Sequence, residues 1–78
     1  MWIRNQWKRK ITQLQEVFAR PTSEGTWVVV GNGEYLGEYP NEEKALKVLD
    51  MIQRAINLEP QMVFNMPKNE DVNINGKD

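Results

Sequence analysis

The chain contains no cysteine and no histidine. The first absence excludes disulfide staples, thiolate metal sites and a cysteine nucleophile. The second removes the commonest general base and the commonest metal ligand. A Ser/His/Asp triad cannot be built, and a zinc site would need carboxylates alone, which is rare. Only carboxylate or lysine chemistry remains, so the expectation is a protein that is not an enzyme, with no catalytic residue, cofactor or metal. No apolar run approaches the length of a membrane span, and no N-terminal apolar stretch reads as a signal peptide. With the missing cysteines, this points to a cytoplasmic protein without a membrane partner.

A strong net charge is also missing. The formal balance is −1, which gives no whole-molecule attraction to nucleic acid or an anionic membrane. The distribution is uneven. Residues 1–20 carry Arg4, Lys8, Arg9, Lys10 and Arg20 against Glu16 alone, whereas residues 21–43 carry Glu24, Glu34, Glu38, Glu42 and Glu43 and no basic side chain. A length of 78 residues bounds the chain at one domain, with a core small enough that a homo-oligomer would be a natural way to add stability.

What is present begins with Asn41 to Leu58. Ala45, Val48, Leu49, Ile52, Ala55 and Ile56 recur on one helical face, flanked by Leu46 and Met51. Glu43, Lys47, Asp50 and Arg54 lie opposite, the pattern of an amphipathic helix. Asn41 stands at the N-cap position, and Glu42 and Glu43 suit the positive end of the helix dipole. Pro60 ends the helix, because a residue before proline is pushed out of the α region.

Upstream, MWIRNQ over residues 1–6 reads as a short strand, with Trp2 and Arg4 on one side and Ile3 and Asn5 on the other. Trp7 to Lys10 has the charge density of an exposed turn. Ile11, Leu14, Val17 and Phe18 lean weakly to a helix, although Thr12, Leu14 and the Val17–Phe18 pair also allow a bulged strand. Residues 21–25 (PTSEG) form a turn by composition. Thr26 to Val30 is a β-branched and aromatic strand. Asn32–Gly33 then predicts a two-residue type I′ hairpin. That register places Val30 opposite Tyr35, Val29 opposite Leu36, Val28 opposite Gly37 and Trp27 opposite Glu38. Met62, Val63, Phe64 and Met66 are too apolar for a free tail and predict an extra strand or a strap. The polar residues 67–78 predict a disordered tail, leaving residues 1–66 as the domain.

Three stretches, MWIRNQ at 1–6, LGEY at 36–39 and ALKVLDMIQ at 45–53, resemble a loose set of small uncharacterised proteins of Gram-positive bacteria and their phages. Those proteins look like M-[WY]-I-R-[SN]-Q, then L-G-x-Y, then A-x-x-V-L-D-x-I-Q. The resemblance covers most of residues 1–57. Its members usually carry Asp after the Gln, where this chain has Trp7. It implies a strand within residues 11–20, a small cytoplasmic protein often belonging to a mobile element, and no catalytic residues to carry over.

Four candidate sites follow. Arg4, Trp7, Lys8, Arg9 and Lys10 could dock an acidic protein groove with Trp and Arg as anchors, or bind phosphates and stack a base. The simpler alternative is a solvated charged turn. An outer sheet face of Trp27, Val28, Val30 and Tyr35 could be an interface between copies or a recognition surface, unless Met62 and Phe64 of the following segment cover it. Glu34, Glu38, Glu42 and Glu43 show no EF-hand-like spacing and read as a solvated face. Residues 31–33 (GNG) are accounted for by the hairpin. The expected fold is α+β, a small antiparallel sheet of three or four strands packed on one C-terminal helix. The expected function is a non-enzymatic phage or mobile-element protein that occupies a protein partner, such as an inhibitor of a host enzyme or defence system. A nucleic-acid-binding accessory protein and an oligomeric nucleotide sponge are the two alternatives.

Overall fold

The computed structural model describes residues 1–72. It is α+β, with the strands β1 (Trp2–Arg4), β2 (Ile11–Gln13), β3 (Val17–Pro21), β4 (Trp27–Gly31) and β5 (Glu34–Tyr39), the helix α1 (Glu42–Leu58), and a sixth strand, β6 (Val63–Asn65). A 3₁₀ turn at Asn69–Asp71 follows. The strands form two three-stranded sheets rather than one, in the orders β2-β1-β6 and β3-β4-β5. β6 runs parallel to β1, and the remaining pairs are antiparallel. The helix lies against β3, β4 and β5.

The split into two sheets occurs within residues 14–16, inside the segment whose spacing leaned to a helix. Leu14 N–H donates to the Met1 carbonyl at 2.8 Å, and the Gln15 and Glu16 N–H groups both donate to the Asn32 side-chain oxygen, at 2.9 and 3.3 Å. The chain therefore leaves one sheet and enters the other. Leu14 and Val17 pack on the core, whereas Ile11 and Phe18 stay exposed. Two strands joined by a break can mimic a helical repeat, because the break shifts the phase of the alternation.

Asn32 and Gly33 have φ of 54° and 80°, as a type I′ turn requires. Asn32 also donates through Nδ2 to the Gln13 carbonyl, so its amide latches the hairpin tip to the β2–β3 connection. We expect Asn32→Gly to keep the turn and lose the latch, lowering stability by about 1–2 kcal/mol in urea unfolding.

The hairpin register agrees with expectation at Val30–Tyr35 and then slips. Val29 pairs with Gly37, Val28 with Glu38 and Trp27 with Tyr39, leaving Leu36 as a bulge. Residues three apart on a regular strand face opposite ways. The extra residue turns both Leu36 and Tyr39 into the core, where they are 2% and 1% exposed. The bulge thus follows from two apolar side chains at odd spacing competing for one interior.

The expected second face forms with Val28, Val30 and Tyr35 on it, and Phe18 joins it in the row Phe18–Val30–Tyr35, but Trp27 does not belong to it. Trp27 shares the inner side with Val29 and packs on the core. Val28 and Val30 do point outward, yet both are buried. Their cover comes from the flanking strands. Arg20 of β3 donates to the Tyr35 hydroxyl of β5 at 3.1 Å, its guanidinium 5.5 Å from the ring centroid. This bridge crosses the central strand. Thr26 Oγ1 donates to Glu38 Oε2 at 2.7 Å beside it. The 62–66 segment is not the cover. It carries β6, and Met66 enters the main core.

On the helix, Asn41 Oδ1 accepts from the Lys44 N–H at 2.9 Å as an N-cap. Ala45, Val48 and Ile52 are buried. Ile56, placed by periodicity on the same face, is 41% exposed. The tail also departs from expectation. Val72 is buried in the core, and Lys44 Nζ donates to the Asn69 carbonyl and side-chain oxygen at 3.0 and 2.8 Å. The domain therefore extends to Val72, and the rest of the expected disordered tail, 73–78, lies outside the described residues.

Gln6 joins the two sheets. Its N–H donates to the Leu36 carbonyl at 2.7 Å, and its Oε1 accepts from the Glu38 N–H at 2.8 Å. Its Nε2 donates to the carbonyls of Glu38 and Pro67 at 3.3 and 3.2 Å. The Tyr39 hydroxyl also donates to the Pro67 carbonyl, at 2.8 Å.

Burial raises the Tyr39 pKa well above the ordinary phenol value. Above about pH 10 the unfolded phenol loses its proton while the folded one keeps it. The folded state then binds more protons, so this contribution is complete below pH 10 and falls as pH rises. We expect Tyr39→Phe to show a shallower loss of stability above about pH 10 in urea titrations at stepped pH.

Candidate functional site

The β2-β1-β6 sheet has one face on the core and one in solvent. Ile3 of its central strand is fully buried, and Phe64 packs beside it. Alternation then sends Trp2, Arg4, Ile11, Gln13, Val63 and Asn65 to the other side. The pairing puts them in two rows across the strands, Gln13–Trp2–Val63 and Ile11–Arg4–Asn65. Trp2, Ile11 and Val63 are 44%, 50% and 42% exposed. Three apolar side chains share one small sheet face without a covering layer among the described residues.

The basic turn adjoins this face. Asn5 N–H donates to the Lys10 carbonyl at 3.0 Å, and Asn5 Oδ1 accepts from the Arg9 N–H at 3.0 Å. Lys8 has a φ of 61°, in the left-handed region. Arg4 steadies that strained residue by donating from Nη2 to the Lys8 carbonyl at 3.1 Å. We expect Lys8→Gly to raise stability by about 0.5–1 kcal/mol in urea unfolding, because glycine adopts this conformation without steric cost.

The expected cluster of five is therefore divided in its roles. Arg4 is held by the loop backbone. Lys10 pairs with Glu34 at 2.5 Å, an exposed ion pair of little energetic value. Lys8 and Arg9 are exposed and have no side-chain partner among the described residues, and Trp7 is 47% exposed. Of the expected interface set, Val28 and Val30 are buried, Trp27 and Phe64 pack on the core, and Tyr35 and Met62 are exposed. Tyr35 lies in β5, whereas Met62 lies in the bend before β6, so the two do not share a sheet face.

Trp2, Ile11 and Val63 are not among the candidates read from the sequence. The alternation of residues 1–6 already puts Trp2 with Arg4. Which side faces out depends on the pairing with β2 and β6, and the parallel partner β6 lies some sixty residues away.

Among the described residues no group of acidic side chains could hold a metal ion. The cleft between the sheets, lined by Asn5, Lys10, Thr12, Glu34, Tyr35 and Leu36, holds about 60 Å³. That is room for a few waters, while a larger open groove of about 440 Å³ lies along the end of the helix at Asp50, Gln53, Arg54, Asn57 and Leu58. Among the described residues no helix is long and apolar enough to cross a membrane. No family model matches the chain, and neither a curated protein nor a solved structure matches it significantly.

Proposed function

We propose that the chain is a small non-enzymatic binding protein that acts by occupying a protein partner through the outer face of the β2-β1-β6 sheet. The observation that carries this is the open apolar strip of Trp2, Ile11 and Val63 beside the charges of Lys8 and Arg9, which have no side-chain partner among the described residues. An aromatic and aliphatic centre with a charged rim is the anatomy of a protein interface. The resemblance to phage and mobile-element proteins supports the narrower form, an inhibitor of a bacterial host enzyme or defence system.

Nucleic acid fits this surface less well. With Arg4 and Lys10 engaged, Lys8 and Arg9 would neutralise about two phosphates, too few for firm binding at physiological salt. The test is affinity purification from a Gram-positive host lysate, followed by native mass spectrometry. The expected result is one protein retained by the wild-type chain, lost with the Trp2→Ser/Ile11→Ser variant and kept with Phe18→Ser on the other sheet. Failure to retain a protein, or equal retention by the first variant, would overturn the reading. A mobility shift of nucleic acid abolished by alanine at Lys8, Arg9 and Lys10 would replace it.

A further inference from the structure

We propose that the free edge of β6 is a strand-addition site for an extended, acidic and apolar segment of a partner protein. This deepens the reading of the same sheet as the binding element and rests on it.

The inference comes from taking the four sheet edges in turn. An open strand edge is a template for pairing, and proteins blunt edges with proline, charge, bulges or cover. The β5 edge is closed by Gln6, whose backbone and side chain pair with Leu36 and Glu38. The β2 edge faces the hairpin tip, where Asn32 takes the Gln13 carbonyl and Glu34 takes Lys10. The β3 edge carries Pro21. The Thr22 N–H to Thr26 carbonyl bond sets the phase of that pair, so Val17, Ala19 and Pro21 turn their backbone groups outward and the proline has no N–H to offer.

Among the described residues the β6 edge has no proline, charge, bulge or cover, and only its length of three residues limits it. Residues 61–66 contain no charge and no proline. The Met66 N–H donates inward to the Arg4 carbonyl at 3.0 Å. Alternation therefore turns Phe64 inward and the N–H and carbonyl groups of Val63 and Asn65 outward. No described residue pairs with them.

The chemistry of the occupant follows from the surroundings. A strand added beside β6 would extend the Trp2–Val63 row, so alternate residues facing that side should be apolar. At its other end it would meet Asn65, which pairs across to Arg4, and the start of the basic turn, which Gln6 ties to Pro67 at 3.2 Å. Residues 1–15 contain no carboxylate, and Lys8 and Arg9 are unpaired among the described residues. Carboxylates on the segment would complement them. Main-chain bonds would supply affinity, with the apolar row and the charges supplying selectivity.

The test uses the full chain with two probes, a short peptide of alternating valine and glutamate and its valine–lysine counterpart. Binding is followed by tryptophan fluorescence and amide hydrogen exchange. The expected result is slowed exchange at the Val63 and Asn65 amides with the glutamate peptide and much weaker binding of the lysine peptide. Asn65→Pro removes an outward N–H without touching the ladder to β1, and we expect it to weaken the glutamate peptide about tenfold, the value of one or two main-chain hydrogen bonds. Should that variant unfold, N-methylation of the peptide backbone makes the same deletion from the other side.

Unchanged exchange at Val63 and Asn65 with peptide, or undiminished binding by both Asn65→Pro and the methylated peptide, would overturn the proposal. So would protection that grows with protein concentration alone, which would assign the edge to a second copy. Equal binding of the two peptides would overturn its acidic character. If Trp2→Ser/Ile11→Ser abolishes capture of a lysate protein while Asn65→Pro does not, the sheet face stands as the binding element and strand addition falls. If neither variant affects capture, the face falls with it.

Discussion

Replacing Tyr39 with alanine is expected to lower the unfolding free energy by about 3–5 kcal/mol and to leave the chain only marginally folded at room temperature. A domain of this size has a total stability on the order of 5 kcal/mol, so a loss of that size is nearly the whole. Tyr39 is the largest fully buried side chain, and it sits where β5, the start of the helix and the 67–72 segment meet. Truncation removes the ring from the core and also releases the Pro67 carbonyl from its hydroxyl donor. The two contributions separate by comparison with Tyr39→Phe, which keeps the ring and loses only the hydrogen bond, at about 1 kcal/mol. Urea unfolding monitored by tryptophan fluorescence and far-ultraviolet circular dichroism measures both. A Tyr39→Ala chain within 1 kcal/mol of Tyr39→Phe would show that the ring does not organise this core.

Gly37→Val is the second large effect, expected at about 3 kcal/mol, the upper end of the range for overpacking. A Cβ at residue 37 would lie 2.8 Å from the Tyr39 hydroxyl oxygen, 3.1 Å from its ring and 3.2 Å from the Met66 methyl. The methionine end can move, but the ring is held by its bond to Pro67 and by burial on every side. The cost should therefore depend on the tyrosine. Gly37→Ala alone is expected to cost about 1–2 kcal/mol, and in a Tyr39→Phe background its added cost should shrink, because the nearest clashing atom is gone. A double-mutant cycle by urea unfolding checks this coupling. Strict additivity would mean that the clash is relieved by strand movement instead.

These two residues show how the short motifs of the chain earn their place in structure. Ile3, Leu36, Tyr39, Ala45, Val48 and Ile52 meet in one core. Gln6 and Gly37 are explained by the same junction, the first as a bridge between sheets and the second as the space that admits the tyrosine ring. Arg4 and Asn5 shape the basic turn. What the motifs leave outside this scaffold is the solvent side of the first sheet, and there the binding surface is proposed.

Much of this was legible from residue order alone, because it rests on local chemistry. The helix, its Asn41 cap and its end near Pro60 follow from periodicity and from the backbone needs of its two ends. The Asn32–Gly33 turn follows from the positive φ that two residues must adopt. The absence of cysteine and histidine narrowed the chemistry before any fold was considered. Tertiary structure alone decided the division into two sheets, the bulge at Leu36, the burial of Val28 and Val30 under the Arg20–Tyr35 bridge, and the entry of Val72 into the core. It also paired β1 with β6 and so left a face and an edge open. Each of these is a competition between distant groups for one interior or one ladder. Alternation says that a strand has two sides, but only the partners brought from elsewhere in the chain determine which side meets water.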